Sequence, residues 1–154
     1  MRRSKSITSI IALLAIAFLP QSYAAETTMT REEAVAAYHA RFDQQFNEIH
    51  ARLVDAKERA TAAKIKSIVL AADIALKDFD DEIAIISNTL KDPNAPVDTA
   101  VGYAIEEIGE IQWNVSTIET NFTKIATIKC VKSGKVKSIK EVSPKCPKGY
   151  KLKK

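Results

Sequence analysis

The amino-acid sequence predicts a mainly α protein. The expected architecture is a long-helix antiparallel bundle, built from three helices or from a helical hairpin with one long member, followed by a small C-terminal β-hairpin with one disulfide. Three observations lead there. No Gly or Pro occurs between Ala24 and Asp92. Apolar residues recur in that stretch, and again after Pro96, at steps of three and four. Near Ile128 the pattern changes to alternation, at the point where the charge of the chain reverses.

Ahead of the first helix, Arg2, Arg3 and Lys5 lead into an apolar run from Ile10 to Leu19 that stops at Pro20. A charged start, a short apolar stretch and small residues at Ser22 and Ala24 read as a cleavable secretory signal over residues 1–24, cut before Ala25. The run is shorter than the roughly 20 residues a spanning helix needs, and no cysteine at the cut suggests a lipid anchor. Export to the envelope or the medium is therefore expected. Residues 25–154 remain, a length that suits one domain with a small appendage. No transmembrane span is expected in that mature chain.

Residues 25–127 are expected to form an acidic helical bundle. Residues 25–128 hold 10 Lys and Arg against 18 Asp and Glu, a net of −8. Thr30 with Glu33 three positions on is a capping-box pattern. From there Val35, Tyr38, Phe42, Phe46, Ile49, Leu53, Ala56 and Ala60 form one apolar stripe. A second stripe runs through Ile65, Val69, Ala72, Leu76, Phe79, Ile83, Ile86 and Leu90. The two are out of phase by about two positions, or roughly 200° around the helix. Either the helix breaks between Ala60 and Lys64, where no turn former stands, or one helix of roughly 90 Å changes partners there.

Asp92-Pro93-Asn94-Ala95-Pro96 ends the second segment, and Asp98 is the expected cap of the next. Val101, Ile105, Ile108, Ile111 or Gln112, Val115, Ile118, Phe122 and Ile125 mark a third stripe. Gly102 and Gly109 weaken this helix, each by about 1 kcal/mol relative to Ala, a cost consistent with close packing. Trp113, Tyr103 and the phenylalanines lie in or beside the stripes and are expected in the core.

Residues 128–154 are expected to form a basic module. Residues 129–154 hold ten lysines against Glu141 alone, a net of +9. Alternation on both sides of Lys132-Ser133-Gly134-Lys135 predicts a hairpin. In an oxidising compartment Cys130 and Cys146 are expected to pair, closing a loop whose entropy is worth on the order of 3 kcal/mol. So small a module needs that staple. The run from Thr127 to Lys135, with Val142-Ser143-Pro144-Lys145-Cys146-Pro147-Lys148-Gly149-Tyr150 and the terminal lysines, resembles the C-terminal signature of small exported, uncharacterised bacterial proteins, mostly actinobacterial. The resemblance covers about a sixth of the chain and implies no particular activity.

Few residues suggest chemistry. His39 and His50 are eleven positions apart, about 16 Å along a helix, and cannot share one metal. His39 with Asp43, and the acids between Asp78 and Glu82, read as solvated helix faces. No nucleophile motif, Gly-rich phosphate loop or zinc-type cysteine spacing occurs. No catalytic residue, cofactor or metal ligand is expected, and the chain does not read as an enzyme. Asn114-Val115-Ser116 and Asn121-Phe122-Thr123 match the glycosylation pattern by coincidence, inside a helix.

The lysines are the remaining signal. Lys132, Lys135, Lys137, Lys140, Lys145, Lys148, Lys151, Lys153 and Lys154 would attract polyanions by counterion release and long-range steering. The expected partners are anionic cell-envelope polymers or lipid head groups, with no specific nucleic acid. Docking of the tail on the acidic bundle is the intramolecular alternative. A coiled-coil interaction protein or extracytoplasmic holdase that assembles through its helices is the second reading.

Overall fold

Thr30 and Glu33 cap the first helix reciprocally. The Glu33 carboxylate accepts from the Thr30 N–H at 2.8 Å, and the Thr30 hydroxyl accepts from the Glu33 N–H at 3.2 Å. That exchange satisfies two donors otherwise left open at a helix start. The structure is a computed structural model that describes residues 29–153. The predicted signal segment, residues 1–24, and Lys154 lie outside the described residues.

Helix α1 spans Arg31–Ala63, 33 residues or about 50 Å. It ends at Lys64, which takes the left-handed conformation at φ 59°, ψ 38°. The Ile65 N–H donates to the Ala60 carbonyl at 2.9 Å and the Lys64 N–H to the Thr61 carbonyl at 3.0 Å. These two bonds define a Schellman turn, whose hydrophobic pair here is Ile65 and Ala60, both fully buried. The chain therefore breaks between the two stripes and reverses. Helices α2, Lys66–Lys91, and α3, Val97–Thr123, follow. The three stripes meet in one core centred on Phe42, Ile49, Leu53, Ile68, Ile108 and Val115. Its shape is an antiparallel three-helix bundle.

Both ends of α2 are held from elsewhere in the chain. At its C-terminal end the Arg31 guanidinium donates to the carbonyls of Thr89, Leu90, Asp92 and Ala95, with the Leu90 contact at 3.0 Å. One cation thus meets two carbonyls of the last turn, which the helix leaves without donors, and two more of the segment that follows it. One polar tie also joins each pair of helices. Arg52 meets Glu119 at 2.7 Å between α1 and α3, and Lys57 meets Asp73 at 2.7 Å between α1 and α2. The Tyr103 hydroxyl donates to Glu82 between α3 and α2. The Arg52 hydrogen bond holds the Glu119 carboxyl below its ordinary range. The two ion pairs are half exposed, so each is worth at most about 1 kcal/mol.

Four sequence expectations for this region need correction. Helix α3 starts at Val97 after an extended Pro96, so Asp98 sits inside the first turn instead of capping it. Ile105 faces solvent, because the buried row of α3 runs through Ala100, Ala104, Ile108 and Ile111, whereas Ile105 shares its row with Gln112 and Glu119. Trp113 is 69 % exposed, on the side of α3 turned away from that row. Ile125 opens a strand and packs on the core from there, not from the end of a helix.

After Lys124 the chain forms β1, Ile125–Lys132, and β2, Lys135–Val142. They pair antiparallel from Ile125 opposite Val142 to Lys132 opposite Lys135. A third strand, β3 at Lys151–Leu152, pairs with the other edge of β1 and gives the sheet order β2-β1-β3. The expected hairpin is thus the larger part of a three-stranded sheet, which begins three residues before the charge boundary. At its base, Ile125 and Val142 pack against the helical core.

The left-handed lysine yields a first prediction. A side chain there costs about 1 kcal/mol, which glycine would not incur. Replacing Lys64 by Gly should stabilise the protein by about 0.5–1 kcal/mol and raise the thermal midpoint by a few degrees. A lowered midpoint in calorimetry would contradict the turn.

Candidate functional site: the basic terminal sheet

The sheet follows from local chemistry. Ser133 at φ 47° and Gly134 at φ 77° form a two-residue turn with both central residues left-handed, the type whose twist matches that of paired strands. Cys130 and Cys146 are joined by a disulfide, with Cα atoms 5.6 Å apart. Cys130 is fully buried. The bridge brings residues 143–150 back across the sheet. There the Tyr150 N–H donates to the Pro147 carbonyl at 2.9 Å, with Gly149 at φ 83°. A Cβ on Gly149 would lie 3.1 Å from the Lys132 ammonium nitrogen, so glycine lets the Lys132 side chain pass. The Lys132 ammonium also stands 6.0 Å from the centroid of the Tyr150 ring.

Docking on the bundle uses the one acid of the tail. The Glu141 carboxylate accepts from the backbone N–H of Ser67 at 3.1 Å, in the first turn of α2. Open donors and the positive end of the helix dipole favour an anion there. The sheet thus meets the bundle through Glu141 and apolar contacts, not through the lysine-to-acid docking that the opposed charges suggested. No tail lysine forms an ion pair with a bundle acid among the described residues.

Strand register sorts the lysines onto two faces. Lys132, Lys135 and Lys137 share one face with Ile128, Cys130 and Ile139. Lys140 lies on the other face, two residue pairs along the ladder from Lys129, and Lys151 joins it from β3. The Lys153 N–H donates to the Lys129 carbonyl at 2.8 Å, which continues the register and sets Lys153 beside Lys129 on that same face. Lys145 and Lys148 stand on the 143–150 connection. All of these lysines are exposed. Lys132 and Lys135 are directly opposite one another, an arrangement of like charges that costs stability unless something anionic is near.

The sequence did not point to Lys129 as a member of this group, nor to β3. Their signal is the alternation Lys151-Leu152-Lys153 next to a bridge that returns the chain to Cys130. The opposed lysines at the tip and the group Lys129, Lys140, Lys151 and Lys153 form an exposed cationic surface.

Other candidate groups serve different ends. His39 and His50 both border a cleft of about 490 Å³ between α1 and α2, floored by Tyr38, Phe46, Phe79 and Ile86. His39 pairs with Asp43 at 3.0 Å and His50 packs on Phe79, with ring centroids 5.4 Å apart. No group of three metal-binding side chains occurs among the described residues. Between Asp78 and Glu82, Asp81 pairs with Lys77 and Glu82 accepts from Tyr103. That hydrogen bond, helped by burial and the nearby glutamates, pushes the Tyr103 phenol up to about 12. Partial burial, with Glu82, Glu110 and Glu106 close by, raises the Glu107 carboxyl above its ordinary value.

No family model, no curated protein and no solved structure matches the chain.

Two predictions arise here. Glu141→Ala should cost about 1 kcal/mol and speed hydrogen exchange at the β2 amides more than in α1 and α3. Uniform loss of protection would show that the carboxylate does not anchor the sheet. Because its pKa is raised in the fold, Glu107 destabilises the native state at neutral pH, and the penalty disappears as pH falls through that pKa toward the ordinary glutamate value. Glu107→Gln should therefore raise the melting temperature at pH 7, with the gain gone near pH 4.

Proposed function

We propose that the chain is an exported, non-catalytic surface or secreted protein whose basic terminal sheet associates with anionic polymers of the cell envelope, with the acidic bundle as the body held there. The observation that carries this reading is the arrangement of the tail lysines. They are exposed on both faces of a disulfide-stapled sheet, and the opposed pair at its tip forms no ion pair among the described residues, the one acid of the strands, Glu141, being engaged by Ser67. The expected partners are acidic wall polymers or anionic lipid head groups, met through charge rather than shape. The signal-like segment at residues 1–24 supports export. The disulfide agrees weakly with an oxidising compartment.

The second reading, a coiled-coil interaction protein or holdase, draws on Leu70, Ile74, Ile105 and Trp113, which are exposed on α2 and α3. Against it, the long apolar stripes are covered by one another in a single core.

The test is binding of residues 25–154 to isolated cell walls and, in a separate arm, to vesicles rich in anionic phospholipid. Replacing Lys129, Lys140, Lys151 and Lys153 by Gln should weaken binding about tenfold or more at low salt and flatten its dependence on salt concentration. Binding left unchanged by this variant, and by deletion of residues 129–154, would defeat the proposal. Retention by walls but not by vesicles would identify a wall polymer, and the reverse a lipid surface.

A further inference from the structure

Helix α3 turns one face away from the bundle. Gly102, Ile105, Gly109, Trp113 and Ser116 fall along it, with Ile105 51 % and Trp113 69 % exposed. Large apolar side chains held in water are unfavourable, and here they flank two glycines that the chain's own packing does not require. A Cβ on Gly102 or Gly109 would meet nothing within 4 Å, although each glycine costs the helix about 1 kcal/mol relative to Ala.

Charge is also segregated along the long axis. Residues 31–46 and 79–109, the half of the bundle farthest from the sheet, hold 3 Lys and Arg against 10 Asp and Glu. Residues 47–78 and 110–124, the near half, hold 7 against 7. Beyond them stands the basic sheet.

We propose that this face of α3 packs against α3 of a second copy, antiparallel about a two-fold axis, so that the acidic end of each protomer lies beside the basic sheet of its partner. A parallel pair would set like charges side by side, whereas the antiparallel pair sets opposite ones together. Gly109 and Trp113 are four positions apart, one turn of helix. An axis passing between them lays each Trp113 over the partner's Gly109, where the missing Cβ leaves room for the indole. The strip of helix surface alone falls short of the roughly 800 Å² per partner typical of stable complexes. The contacts between oppositely charged ends supply the remainder, so the dimer weakens as salt screens them.

The experiment is sedimentation velocity of residues 25–154 over a concentration series, at about 50 mM and about 500 mM salt, together with tryptophan emission. Trp113 is the single tryptophan and reports directly on the interface. A concentration-dependent dimer at low salt, with emission shifting to the blue as it forms and dissociation at high salt, is the expected result. Gly109→Leu adds bulk only where a partner would stand. It should leave the monomer's melting temperature unchanged or higher while weakening the dimer about tenfold or more. Trp113→Ala should weaken it likewise without loss of helix by circular dichroism. A monomer throughout the series, a dimer strengthened by salt, or a dimer indifferent to both substitutions would each overturn the proposal.

Discussion

The reversal at Lys64 and Ile65 is the constraint on which the rest of the molecule depends. Continued as one helix, residues 31–91 would carry two apolar stripes on different sides of a rod, each needing its own partner. The Schellman turn folds the rod back so that the stripes face one another, and it buries Ile65 against Ala60 in the same step. It also leaves α2 starting at a residue whose aliphatic side chain cannot cap it. The open amide of Ser67 is then met by Glu141, the one carboxylate among ten lysines in residues 129–154. The position of the sheet thus descends from the turn. The break exposes a helix end, and the helix end selects the only acid the tail can offer.

Much of this architecture was legible in the sequence because it rests on periodicity. The capping box at Thr30, the first stripe from Tyr38 to Ala60, the Ser133-Gly134 turn and the Cys130–Cys146 bridge all follow from side-chain type and spacing. The break itself was legible only as a phase error between stripes. Left-handed turns at helix ends usually carry glycine, and here a lysine accepts the cost because burial of Ile65 and Ala60 compensates it. Asp98 misled because a carboxylate near a helix start suits both the cap and the first turn. Ile105 misled because, over short stretches, steps of three and four fit neighbouring rows of a helix equally well, and Ala100 and Ala104 gave the true row a weak hydrophobic signal.

The candidate site was legible in composition and illegible in geometry. A run of lysines tells that a segment is cationic, but not which of them act together. That is decided by strand register, and β3 is a two-residue strand held in place by a disulfide and by the Lys153–Lys129 hydrogen bond. Lys129 entered the group only through that pairing, since in the sequence it stands at the edge of the basic stretch. The acids of α2 show the converse. Asp81 and Glu82 look like a cluster in sequence, yet one is engaged by Lys77 along the helix and the other by Tyr103 across it.

The bundle and the sheet carry nearly cancelling charges, yet they meet through Glu141 and two apolar residues. Neutralising the tail lysines internally would require them to lie along α2 and α3, where Asp80, Glu106 and Glu110 stand. The eight-residue strands instead leave the bundle at the end where 7 cations balance 7 anions. With the sheet at that neutral end, no tail lysine forms an ion pair with the chain's own acids among the described residues. Opposite charges kept apart within one molecule remain available between molecules. The two proposals therefore place an envelope polyanion and the acidic end of a second copy on the same sheet, in competition with one another.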